Sequence, residues 1–217
     1  MKEFIRRWFL SSVVVVVISL GWKYPFLGFS VPIVMLGAVS FGFFKNRYFC
    51  GHLCPRGSFF DHWISLISRK KRIPRWLFSS LFRWTVLFFL MGFMGFRLFF
   101  ATDLYSVGRV FWMMCAVTTG IGIFFGIWIH PRMWCSFCPI GTLQKIFSSK
   151  KTFLTLDTVK CKSCRLCEKK CPLQLPIIDK GKEGLKIVLP DCMRCEKCIH
   201  ACSVRAISGK NNANFPK

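Results

Sequence analysis

Acidic residues are what this sequence has least of. Only 9 Asp and Glu stand among 217 residues, against 32 Lys and Arg, for a formal net charge of +23. Charged residues of both signs make up 19% and hydrophobic ones 53%, with a mean hydropathy of +0.43. A soluble globular chain averages roughly 45–50% apolar and about 25% charged, so a single soluble domain is excluded, as is a disordered chain. A Ser/His/Asp array, a phosphate loop and paired carboxylates are all missing, which leaves common hydrolytic chemistry without its residues. No pair of His faces across the apolar stretches, which argues against haem. The scarcities are also uneven. Residues 151–217 have no Trp, 14 basic and 6 acidic residues, and eight of the 13 Cys. Residues 1–150 hold all 8 Trp, nearly all of the 25 Phe, and 18 basic against 3 acidic residues. The two parts obey different solvents.

Residues 1–150 read as a membrane domain. Apolar stretches run over Trp8–Trp22, Phe26–Phe44, Trp84–Phe100 and Val110–Ile129. A spanning helix needs about 20 mostly apolar residues, so four transmembrane helices are expected, the first being short. Trp8, Trp22, Trp84, Trp112 and Trp128 fall at or near the ends, where an aromatic belt places them. With the amino terminus cytoplasmic, fifteen Lys and Arg lie inside and three (Lys23, Arg97, Arg109) outside. This positive-inside bias puts both termini in the cytoplasm, with Lys23–Pro25 and Asp103–Val107 outside. The basic charge sits beside the spans, not on one soluble face, so nucleic acid is set aside. Arg6-Arg7-Trp8-Phe9-Leu10 resembles a twin-arginine export signal; the expectation is a retained signal anchor forming the first helix.

An internal repeat carries the first cysteines. Arg47-Tyr-Phe-Cys50-Gly-His-Leu-Cys54-Pro55-Arg-Gly57 is echoed by Arg132-Met-Trp-Cys135-Ser-Phe-Cys138-Pro139-Ile-Gly141. Each unit reads as two spans, a Cys-Pro turn, then an amphipathic stretch, Phe59–Ile67 or Thr142–Phe147. Cysteines two or three residues apart present both sulfurs to one centre, and thiolates favour zinc or iron–sulfur chemistry. Cys50, Cys54, Cys135 and Cys138 are therefore candidate ligands of one shared iron–sulfur or metal centre at the cytoplasmic face. The competing reading is inert thiols that end helices. Cys115, alone in the fourth span, reads as a small core residue.

The tail is the most informative part. Cys161-x2-Cys164-x2-Cys167-x3-Cys171-Pro172 matches the bacterial [4Fe–4S] run, and Cys192-x2-Cys195-x2-Cys198-x3-Cys202 repeats it with Ser203 in place of Pro. In two-cluster ferredoxins the fourth Cys ligates the other cluster. One cluster is then assigned to Cys161, Cys164, Cys167 and Cys202, and the second to Cys192, Cys195, Cys198 and Cys171. A zinc ribbon would space its pairs more widely. Between the runs, Lys180–Gly184 reads as a turn and Leu185–Leu189 as a strand.

The expected architecture is an α-helical membrane protein of two repeated hairpins (residues 1–150), followed by a small α+β two-cluster ferredoxin domain (151–217). The combination of spans, Cys-Pro turns and two ferredoxin runs resembles the NapH/MauN-type membrane ferredoxins and the electron-transfer part of NosR-type regulators. The family pattern has Cys-x3-Cys-Pro in both turns; here Cys135-Ser-Phe-Cys138 is one residue shorter and Cys202 lacks its Pro. The resemblance implies the membrane component of a quinol dehydrogenase in the cytoplasmic (inner) membrane. Two [4Fe–4S] clusters would pass electrons between the quinol/quinone pool and an electron-transfer protein partner. The basic tail suits an acidic partner or the anionic membrane surface, and reads equally as a solvated, topology-driven lysine surface. A non-catalytic assembly, maturation or redox-sensing subunit is the alternative. Protons from quinol would have few takers: Asp61, His62, His52 and His130.

Overall fold

The computed structural model describes residues 2–45, 47–147, 154–182, 186–187 and 189–209. Helix α1 spans Lys2–Leu20, and a 3-10 turn at Pro25–Phe29 leads into α2, Ser30–Lys45. Pro25 suits that turn because its fixed φ is already helical and it has no N–H to satisfy there. Helices α3 (Tyr48–His52) and α4 (Pro55–Phe59) form the first Cys-Pro turn. A π-helical turn at Phe60–Ile64 joins α4 to α5, Ser65–Ile67. The second hairpin is α6 (Ser80–Phe99) and α7 (Leu104–Trp128), followed by α8 (Trp134–Phe137) and α9 (Pro139–Phe147). Both amphipathic stretches after the turns are helical.

Among the described residues three helices are long and apolar enough to cross a membrane: Pro25–Phe44, Ser80–Phe99 and Leu104–Trp128. The apolar part of α1, Trp8–Leu20, falls short of that length, because charged residues occupy its first two turns. The α6–α7 connection is also tighter than expected, since α7 starts at Leu104 and only the residues before it remain as loop. Large apolar side chains such as Leu36, Phe89 and Phe99 point outward, as they do where lipid replaces water. Contact between the hairpins depends on missing side chains. A Cβ on Gly28 would sit 2.1 Å from the Gly108 carbonyl oxygen, and one on Gly108 2.5 Å from that of Pro25. Small residues at such a crossing let two backbones touch.

The tail folds on its own small core. Strands β1 (Leu154–Leu156), β2 (Lys186–Ile187) and β3 (Ile207–Gly209) form an antiparallel sheet in the order β2-β1-β3, with Leu154 opposite Ile187 and Leu156 opposite Ile207. Helices α10 (Leu166–Lys170), α11 (Ile177–Lys182) and α12 (Lys197–His200) cover it. Leu154, Leu156, Ile177, Ile178, Ile187 and Ile207 are its buried residues, with Cys167 and Cys198 among them. The turn expected from Lys180 is in fact the end of α11, held because Gly181 packs flush on Leu156, where a Cβ would meet Cδ2 at 2.3 Å. Glu183 and Gly184 of that turn, Leu185 and Val188 of the expected strand, and the boundary at residues 150–151 lie outside the described residues.

Candidate functional site

The two ferredoxin runs share a backbone as well as a spacing. Positive φ occurs at Ser163, Arg165 and Gln174 in the first, and at Arg194, Glu196 and Arg205 in the second. These are equivalent positions: two and four residues after the first Cys, and three after the fourth. None is glycine, and the left-handed region costs such a residue about 1 kcal/mol or more. Six such residues are tolerated only where the loop must wrap around something, with its amides turned inward. Cys167 and Cys198 are buried at the start of α10 and α12. Cys161 and Cys202 are partly buried against the same core and Cys164 is exposed. The Ala206 amide donates to Cys202 Sγ at 3.3 Å. Cys171 lines a small cavity together with Cys192, Cys195 and Cys198. Burial pushes the Cys192 thiol up to about 12 and the Cys167 thiol to about 11.

The membrane-proximal turns meet face to face, through an exchange of arginines. Arg47 of the first repeat donates to the carbonyl oxygen of Cys135 in the second at 2.6 Å. Arg132 of the second donates to that of Cys50 in the first at 2.9 Å. Each guanidinium fills a notch left by the partner's glycine. A Cβ on Gly141 would come within 2.4 Å of Arg47 Nη2, and one on Gly57 within 2.5 Å of Arg132 Nη1. Pro55 and Pro139 start α4 and α9, and Cys54 Sγ caps α4 by accepting from the Gly57 amide at 3.4 Å. Cys50 Sγ donates to Gln144 Oε1 at 2.9 Å, and Gln144 Nε2 donates to the Ala38 carbonyl. Burial pushes the Cys50 thiol up to about 12 against the pull of Arg47; Cys54, Cys138 and Cys135 are near enough to raise it further. Burial likewise raises Cys54.

Two carboxylates, far away in sequence, lock this arrangement. Asp191, adjacent to Cys192, accepts from the fully buried Arg47 and Arg83 at 2.9 Å each, with Lys145 Nζ at 3.6 Å. Burial works against its charge, but Arg47 and Arg83 win and hold its carboxyl below the usual carboxylate range. Asp61 chelates Arg132 at 2.7 and 3.0 Å and meets Lys197 Nζ at 3.4 Å. Those cations overcome burial and hold it well below its ordinary value. Lys197 lies between Cys195 and Cys198, so each carboxylate ties a turn to the second ferredoxin run. Three buried arginines, Arg47, Arg83 and Arg132, thus face two carboxylates. That buried excess of positive charge fits anionic thiolate ligands.

The sulfurs fall into an order. Cys54 and Cys138 border a cavity between the membrane helices. Cys50 and Cys135 pack instead with Leu173, Leu175 and Met193 of the tail, against Cys171 and Cys192. Among the described residues no three Cys, His, Asp or Glu side chains converge on one point as for a single metal ion; a cubane instead takes its sulfurs at separated corners. Of the candidate proton acceptors, Asp61 is committed to its ion pairs. His52 Nδ1 lies 3.3 Å from the Tyr48 carbonyl, His62 Nδ1 3.1 Å from that of Ser58, and His130 Nδ1 accepts from the Arg132 amide. Burial lowers His130 to about 4. None of the four borders the intramembrane cavity. The arginine and glycine pairs went unread in the sequence although their signal was there, at the same offset from Cys in both repeats. Asp191 carried no such signal.

Comparisons with known proteins agree with this anatomy. A family model described as a 4Fe-4S binding domain matches twice, over residues 27–74 and 109–154, one match around each Cys-Pro turn. A second, described as a 4Fe-4S dicluster domain, matches residues 160–207. The uncharacterized protein MJ0749 of Methanocaldococcus jannaschii is 28% identical over 179 residues, 79% of this chain and 67% of the relative. MJ0750 of the same organism is 27% identical over 176 residues, 75% and 71% of the two chains. The ferredoxin-type protein NapH of Haemophilus influenzae is 27% identical over 106 residues, 46% of this chain and only 35% of that protein. No solved structure matches the chain. These similarities support the NapH-like ferredoxin family, and with the apolar helices they support an iron–sulfur electron-transfer protein of the membrane.

Proposed function

We propose that this NapH-like ferredoxin is a membrane-bound relay passing electrons between the quinol/quinone pool and a redox protein. The carrying observation is the order of sulfurs: Cys54 and Cys138 border the intramembrane cavity, while Cys50 and Cys135 pack on Cys171 and Cys192. In this reading Cys161, Cys164, Cys167 and Cys202 hold one [4Fe–4S] cluster. Cys192, Cys195, Cys198 and Cys171 hold the second, and the four turn cysteines a further iron–sulfur centre. Such centres supply one-electron acceptance and release when bound. The chain's own residues do the rest. Arg47 and Arg132 hold the two turns in register and offset the negative charge of thiolates. Leu173, Leu175 and Met193 exclude water between the turns and the tail. Asp191 and Asp61 fix the tail against the turns.

Quinol oxidation releases two electrons and two protons; centres held by these cysteines would supply single-electron transfer to the partner, and the protons pass to water. Asp61 and His130, held charged and neutral respectively by their surroundings, are poorly suited to carry them. Helix α1 serves as a fourth, short span, with both termini and the tail on the cytoplasmic side of the inner membrane, and the basic tail suits an acidic partner. The test is anaerobic addition of decylubiquinol or a short-chain menaquinol to the purified full chain, read by EPR of the reduced clusters. Cluster signals that grow in proportion to quinol support the relay. Oxidised clusters untouched by either quinol, and reduced clusters untouched by either quinone, would leave the assembly or sensing role in its place.

A further inference from the structure

The cavity between the membrane helices has a volume of about 170 Å³ and lies among α1, α2, α6 and α7, closed at one end by both Cys-Pro turns. Its walls are almost wholly apolar and no carboxylate borders it. Its closed end is different. Arg56 Nη1 donates to Thr118 Oγ1 at 2.9 Å, Nη2 lies 3.5 Å from Cys138 Sγ, and the guanidinium stacks over the Trp134 ring at 5.2 Å. Among the described residues no carboxylate pairs with Arg56. Trp134 borders the same cavity and is 4% exposed, yet its indole Nε1 has no hydrogen-bond partner. A buried donor without an acceptor costs about 1–3 kcal/mol. A cation with no carboxylate partner among the described residues and an unpaired indole donor, both beside one apolar cavity, leave room for an occupant that brings an acceptor.

The occupant's chemistry follows from the walls. It enters from lipid, is mostly apolar, and carries a hydrogen-bond acceptor at its leading end. The volume is below the about 300–1,000 Å³ of pockets that take whole drug-sized ligands, so a single ring fits and a long tail must remain in the lipid. Cys54 and Cys138, one from each repeat, border the same end, so whatever sits there lies beside the proposed turn centre. We propose that this cavity seats the ring of a membrane quinone, with Arg56 and Trp134 as donors to its oxygen and Met94 and Val31 as apolar walls. The proposal rests on the relay reading and locates it.

The test uses the full chain with its clusters, in phosphatidylcholine nanodiscs, with decylubiquinone as probe and tryptophan fluorescence quenching as the binding readout. Met94→Trp fills the cavity from α6, away from the cysteines, and Val31→Phe does so from α2. Each is expected to weaken binding at least tenfold at unchanged iron content. Arg56→Gln is expected to weaken it similarly, with Arg56→Lys recovering part of the loss. Wild-type affinity in both filled variants overturns the location. A second readout separates this from failure of the relay itself. Dithionite-reduced clusters, with excess reductant removed, should be reoxidised by decylubiquinone, which takes up two electrons and two protons. No reoxidation in the wild type sinks the relay, whereas equal rates in wild type and Met94→Trp sink only the cavity. Displacement of the probe by phosphatidylglycerol in the nanodisc would make this a site for anionic lipid headgroups and overturn the quinone assignment.

Discussion

At the scale of residues, the exchange of Arg47 and Arg132 is what makes one site of two turns. Gly57→Ala should push a methyl into Arg132 Nη1, which cannot withdraw because it donates to the Cys50 carbonyl while Asp61 holds the other two nitrogens. Overpacking of this kind costs about 1–3 kcal/mol; Gly141→Ala should do the same to Arg47. Thermal unfolding of the purified protein checks both, with Gly37→Ala, where a Cβ meets nothing, as control. Asp191→Asn should cost more, about 3–5 kcal/mol, because it strands two buried guanidinium groups, and protease should then release the tail. The folded Asp191 carboxyl lies below its unfolded value of about 3.9. Its contribution is therefore complete above that pH and is lost only as pH falls through the folded value. His130 behaves differently. Lowered to about 4 in the folded state, it binds a proton more readily unfolded, so stability falls as pH drops from about 6.5 towards 4. His130→Gln should flatten that slope in acid-unfolding curves. Asp191 was beyond the reach of sequence reading because its partner Arg47 is 144 residues away and a lone Asp before a Cys carries no periodicity.

At the scale of elements, the cysteine runs were legible because three cysteines lie within one loop, and spacing encodes their geometry directly. The turn between the runs was not, whereas β2, Lys186–Ile187, lies within the strand read over Leu185–Leu189. Local turn residues at Lys180–Lys182 were outweighed by packing of Gly181 of α11 on Leu156 of β1. The matched left-handed residues were likewise invisible, since Ser, Arg, Gln and Glu do not advertise that conformation. On the proposed assignment, Cys164→Ala and Cys195→Ala should each remove about half of the tail's iron and acid-labile sulfide. They should also loosen the tail's fold, because binding energy there is folding energy. Elemental analysis after anaerobic purification tests it, and full iron in both variants would refute the two-cluster scheme.

At the scale of the whole molecule, the basic bias and apolar stretches gave the helices, and with them the architecture of two hairpins, each followed by a turn. The count of spans was less legible, because α1 mixes an apolar run with charges at its start and length alone does not place it. Its assignment as a fourth span fixes a topology that labelling can read. Thr102 is exposed in the α6–α7 connection, and Val159 is exposed on the tail. In intact cells a membrane-impermeant maleimide should modify Thr102→Cys and leave Val159→Cys unmodified until the cells are opened. The opposite pattern would invert the topology.

The traded arginines bear on where such a chain comes from. Neither half completes its own turn: each has a glycine notch it does not fill and an arginine that points away from it. A single half, paired with an identical copy about a twofold axis, would find the same arginine offered to the same notch. The present chain is in that sense a dimer written as one sentence. The two clauses differ in the length of one turn, with three residues between Cys50 and Cys54 and two between Cys135 and Cys138, while the handshake between them is intact.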